Sequence, residues 1–135
     1  MKLMTKEIEE KFKKIGRQEG SDPIAVCKFF NPAGAGTWWA TEMYYVVQQA
    51  DGNGGLTTLE IEASKMNGNV GGAVVDMNFY GYVSIFGDEC DEWGYFALSE
   101  LQSVKGAFGL GIERDLHFDP KPISKACPKA FSIIS

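Results

Sequence analysis

The chain has 135 residues, 44% of them hydrophobic and 23% charged, with 13 basic side chains against 18 acidic ones. That balance fits one globular domain, residues 1–135, with its own core, and excludes a disordered, collagen-like or coiled-coil chain. No run of about 18 apolar residues offers a membrane helix, and Met1-Lys2-Leu3-Met4-Thr5-Lys6-Glu7 turns charged too early for a signal peptide, so a cytoplasmic protein is expected.

The first predicted element is a helix over 5–15. Ile8, Phe12 and Ile15 form one apolar stripe, Thr5 stands ready to cap, and Gly16 is placed to stop it. A short loop, Gly20-Ser21-Asp22-Pro23, leads into a strand from Ile24 to Phe30, and residues 31–36 form a turn. Thr37 to Val47 is rich in aromatic and β-branched residues and reads as a strand with two mostly apolar faces. Strict alternation puts Trp39, Thr41, Met43, Tyr45 and Val47 on one face, and Trp38, Ala40, Glu42, Tyr44 and Val46 on the other. Such a strand belongs at the centre of a sheet.

Asp51-Gly52-Asn53-Gly54-Gly55 reads as a turn before a strand from Leu56 to Ala63. Five positions of residues 49–60 coincide with a calcium loop, but Gln49 stands where its first carboxylate belongs, so a hairpin is expected and no metal. Phe79 to Phe86 and Trp93 to Leu98 read as neighbouring strands across an acidic turn. Ser99-Glu100-Leu101-Gln102 has the form of a capping box opening a short helix that ends at Gly106. Ile112 to Phe118 is the last predicted strand, with Ile112, Arg114, Leu116 and Phe118 on its apolar side, and the 124–135 tail forms a short helix or packs loosely. The expected fold is α+β: one compact domain, mainly antiparallel sheet, with an N-terminal helix and a short helix after the later strands.

Charge is unevenly spread. Residues 1–28 and 105–135 each carry a net +2, whereas residues 29–104 hold ten acidic side chains and a single basic one, Lys65. Phosphate neutralisation needs clustered Lys and Arg, so direct nucleic-acid binding is not expected. The acidic turn Asp88, Glu89, Asp91 and Glu92 is the candidate patch for a partner with a basic surface, such as a nucleic-acid-binding protein. Cys27, Cys90 and Cys127 are widely spaced and form no C-x-x-C pair, which points to three free thiols.

Several segments resemble a known family. They are Met1 to Ile8, Thr37-Trp38-Trp39-Ala40-Thr41-Glu42, Phe79-Tyr80-Gly81-Tyr82-Val83, the run from Trp93 to Leu101, and the run from Gly109 to Phe118. In this order they resemble the bacterial family catalogued as Domain of Unknown Function 2958. The stretch from about 44 to 78 departs from that pattern as an extended insertion. The resemblance implies a small accessory protein of plasmids, conjugative elements or phages, and carries over no catalytic residue.

Candidate chemistry concentrates near the end of the chain. Glu113, Asp115 and His117 alternate along the last predicted strand and would share one face, as a solvated surface or as an acid–base or metal site. Arg114 would project to the apolar side and need a carboxylate, for which Glu42 is available. No P-loop, G-x-G-x-x-G, G-x-S-x-G or H-E-x-x-H motif is present, and no cofactor is expected. The expected function is binding of another macromolecule, as an anti-restriction or anti-CRISPR type inhibitor acting by charge mimicry. The alternative is a small enzyme or ligand-binding domain using Glu113, Asp115, His117 and Arg114. The oligomeric state is open.

Overall fold

A computed structural model describes residues 2–68, 71–85, 91–105 and 109–134. Its fold is α+β, with an antiparallel sheet, an N-terminal helix and short C-terminal helices. Helix α1 (Lys6–Ile15) starts where the Thr5 hydroxyl accepts the Ile8 amide, and ends where Gly16 turns at φ 69°. Strands β1 (Ile24–Ala25) and β2 (Cys27–Phe30) follow, then the long β3 (Thr37–Ala50). Residues 51–55 close a hairpin into β4 (Leu56–Glu62), and β5 (Ala73–Ser84) and β6 (Glu92–Ala97) complete the main strands. Helix α2 (Leu98–Ser103), β7 (Glu113–Arg114), β8 (Lys121–Pro122), α3 (Ile123–Ala126) and α4 (Pro128–Ile134) end the chain.

The six-stranded sheet runs β6-β5-β3-β2-β7, with β4 also paired to β3 beyond the end of β2. As its composition predicts, β3 is central. Its alternation is broken, however, by a register shift between Ala40 and Glu42 that leaves Thr41 as an extra residue. Trp38 and Ala40 therefore join Met43, Tyr45 and Val47 on one face, while Trp39 joins Glu42 and Tyr44 on the other. Gly81 lies opposite this bulge, where an added Cβ would run into the Trp39 carbonyl.

The first face holds the larger core. Phe12 of α1 meets Phe79 at a ring separation of 5.9 Å, and Phe29 and Phe96 pack on Phe79 at 5.5 and 5.4 Å. Leu3, Leu101 and Ile112 seal it. The second face is covered over one end only, where Ile123 and Ala130 bury Tyr82 and pack beside Trp39 and Trp93. The 124–135 tail is thus a structural lid as far as it is described, with the Trp93 indole donating to the Ala130 carbonyl at 3.1 Å.

Two other expectations are corrected. The predicted strand from Ile112 to Phe118 reduces to Glu113–Arg114, because the Asp115 carboxylate accepts the His117 amide and turns the chain at Leu116 and His117. Leu116 is accordingly 64% exposed rather than on an apolar face. The Ser99 capping box is also replaced: Ser99 lies inside α2, and its amide and hydroxyl donate to the Asp76 carboxylate on β5 at 3.1 and 2.6 Å.

Candidate functional site

The acidic turn divides. Asp88 and Glu89 lie outside the described residues, as does the Gly106 helix end. Asp91 is internal, its side chain 1% exposed, with the Lys129 ammonium and the Ser84 hydroxyl each 2.8 Å from its carboxylate. Glu92 is exposed at the start of β6. Asp91 is therefore a structural anion that ties α4 to the sheet, and an incoming basic surface could not reach it.

The grouping of Glu113, Asp115 and His117 dissolves with the short strand. Glu113 pairs with Phe30 in the β2–β7 ladder. Asp115 uses its amide on the Lys28 carbonyl and its carboxylate on the His117 amide, with the Lys28 ammonium 3.9 Å away. His117 is exposed in the turn. Among the described residues, no three His, Cys, Asp or Glu side chains gather as a metal site.

Arg114 and Glu42 are not partners. Arg114 pairs with Phe29 on the first face, where its guanidinium donates to the carbonyls of Lys2 and Leu3 at 3.0 and 2.6 Å and fastens the N-terminal segment. The Thr41 bulge sends Glu42 to the opposite face. There the carboxylate is 7% exposed and accepts the Gln18 amide at 3.1 Å and the Tyr44 hydroxyl at 2.6 Å. Gln18 is itself fixed, since its side chain donates to the carbonyls of Ile24 and Thr41 and accepts the Ile24 amide.

Around Glu42 the second face carries a set of aromatic rings. Cross-strand pairing aligns Glu42 with Tyr80 and Tyr80 with Tyr95 in one row, and Trp39, Tyr82 and Trp93 in the next. Tyr80 stacks on Trp93 at 5.9 Å and 26°, and tilts against Tyr95 at 4.9 Å. Tyr44 reaches Tyr95 at 6.3 Å, and Tyr95 is 67% exposed. Burial first, then the hydrogen bond to Glu42, pushes the Tyr44 phenol well above the ordinary tyrosine range; burial raises Tyr80 also. Both phenols stay protonated and able to donate at neutral pH.

The same face is acidic beyond Glu42. Tyr44 pairs with Glu62, Val46 with Glu60, and Val46 also with Asp76; Glu62 accepts from the Ser64 amide and hydroxyl and Asp76 from Ser99, which leaves Glu60 as the exposed carboxylate of the three. A pocket of about 450 Å³ opens where α4 gives way, lined by Gln18, Pro23, Thr41, Glu42, Tyr80 and Trp93 among others. The aromatic alternation at Tyr80 and Tyr82 and at Trp93 and Tyr95 was the available signal for this face. Glu42 stands apart from the Arg114 that sequence alone offers it, and no local signal marks Gln18 or the tyrosines as its neighbours.

Comparison with curated proteins and with solved structures yields no match. No described helix is long and apolar enough to cross a membrane. A family model described as protein of unknown function (DUF2958) matches residues 2–69 and 73–130, the greater part of both sheet faces and of the lid. The chain belongs to the DUF2958 family.

Proposed function

We propose that this protein is a non-enzymatic binding protein that docks a partner protein with a basic surface on the uncovered part of its second sheet face. The observation that carries the reading is the sharing of that face by the buried Glu42 and the exposed Glu60 with Tyr44, Tyr80 and Tyr95. Carboxylates steer and select a cationic partner, while the rings supply rigid apolar contact area. The acidic balance of residues 29–104 supports the same partner chemistry. The role as an accessory protein of mobile DNA, blunting a host-defence protein that itself binds nucleic acid, is part of this proposal and rests on the family resemblance.

The test is site-resolved cross-linking in the native host. A photoreactive residue at Tyr95 should trap a protein whose contact surface is rich in Arg and Lys, whereas one at His117, on the turn after β7, should not. Equal trapping at both positions, or trapping of an acidic surface, would refute this docking face.

A further inference from the structure

The pocket beside Glu42 has a chemistry more specific than general acidity. Its floor holds one buried carboxylate, and each oxygen already accepts one protein hydrogen bond: Oε2 from the Gln18 amide, Oε1 from the Tyr44 hydroxyl. An ionised carboxylate offers about four acceptor sites, so each oxygen keeps room for another donor. Its position is fixed before any guest arrives, because Gln18 is held to β1 and β3 by three further hydrogen bonds. Among the described residues, no ion pair neutralises Glu42. The Arg17 charge acts on Tyr44, whose hydroxyl donates to Glu42.

The walls are aromatic. Tyr80 and Trp93 are stacked on each other and both line the pocket, so their exposed edges and faces stand beside the carboxylate. The volume of about 450 Å³ is that of a small-ligand site. A buried carboxylate beside aromatic rings suits a cation, and the guanidinium group meets both features at once. It is planar enough to lie against a ring, weakly hydrated enough to be buried, and forked so as to donate to two carboxylate oxygens together.

We infer that this pocket receives a single arginine side chain of the partner protein, its guanidinium donating to Glu42 and resting against Tyr80 and Trp93. This deepens the docking reading and depends on it for the source of the arginine. The exposed ring of Tyr95 and the exposed carboxylate of Glu60 then surround the inserted side chain with the rest of the interface.

The probe is a capped tripeptide with one central arginine, titrated into the full chain and followed by NMR at the Gln18 amide and the Trp93 indole. Matched peptides carry citrulline, lysine or trimethyl-lysine in its place. The arginine peptide should shift both signals and saturate in the millimolar range, while the citrulline peptide, neutral but of the same shape, should leave them still. Glu42→Gln and Tyr80→Leu should each weaken the arginine peptide at least about tenfold, the scale of a lost charged or stacked contact. Equal binding of citrulline, no arginine binding, or unchanged affinity in a Glu42→Gln protein that melts normally would overturn the assignment. Tighter binding of trimethyl-lysine would overturn the guanidinium in favour of an ammonium cage. If Glu42→Gln fails to fold, the Tyr80→Leu and citrulline arms still decide. The wider docking reading fails separately, by Tyr95 cross-linking that shows no preference for a basic partner.

Discussion

The two faces of the central sheet are built from the same strands and put to different uses. The first is packed under α1, α2 and the N-terminal segment around Phe12, Phe29, Phe79 and Phe96, with Tyr45 buried in the same core and its hydroxyl turned to Glu9 of α1. The second is closed over one end by α3 and α4, and its rings carry hydroxyls and an indole and stand beside carboxylates. Phenylalanine-centred packing on one side and tyrosines with an exposed edge on the other separate burial for stability from burial with a wet edge. One extra residue, Thr41, sorts the β3 side chains between these two environments.

The sharpest way to break the contrast is at Gly81. Gly81→Ala forces a methyl into the Trp39 carbonyl opposite the bulge, and should cost on the order of 4 kcal/mol or abolish folding, read by urea denaturation. Phe79→Ala comes next: removing a fully buried ring that touches three others should cost about 3–5 kcal/mol. Lys129→Ala takes the ammonium from a carboxylate that is 1% exposed, and a loss of about 2 kcal/mol is expected in the same assay. Tyr44→Ala takes a hydrogen bond from the buried Glu42 carboxylate and should also cost about 2 kcal/mol, whereas Tyr95→Ala, at a ring 67% exposed, should change stability by about 1 kcal/mol or less.

Much of this arrangement is legible in the residues. The Ile8, Phe12, Ile15 stripe with Thr5 and Gly16 at its ends gives α1 to within a residue, and the aromatic density of Thr37 to Val47 identifies the central strand. Strict alternation fails where long-range geometry intervenes. Nothing local marks Thr41 as a bulge, since its hydroxyl bonds the Tyr80 carbonyl from another strand. The partner that holds Ser99 is likewise distant, on β5. The last strand stops short of its alternating pattern, Ile112 to Phe118, because the Asp115 turn competes with it. Glu42 was recognisable as an unusual carboxylate among aromatic residues, but its face, and so its neighbours, followed from the bulge.

Cysteine chemistry sharpens the comparison through accessibility. Burial pushes the Cys27 thiol on the first face up to about 12, whereas Cys127 is half-buried in the lid. Alkylation at pH 8 followed by peptide mass analysis should label Cys127 and leave Cys27 intact. The sign for stability follows. The folded thiol resists ionisation from its ordinary 9.0 up to about 12, so this contribution is whole below pH 9 and declines as pH rises through that window. Labelling of Cys27 in the native protein would mean that the first face opens readily. The smallest effect is expected at His117→Gln, about 0.5 kcal/mol or less, because the fold uses only the residue's backbone amide.

The division of labour between the faces is tested most directly by one paired measurement on the Glu60→Gln/Tyr95→Ala protein, both positions being exposed: its melting temperature, and its retention of the partner trapped through Tyr95. A binding face that contributes little to the core gives a melting point within about 5 °C of the parent and loss of partner retention. Full retention of the partner by the double variant, whatever its melting point, would contradict the assignment of binding to this face.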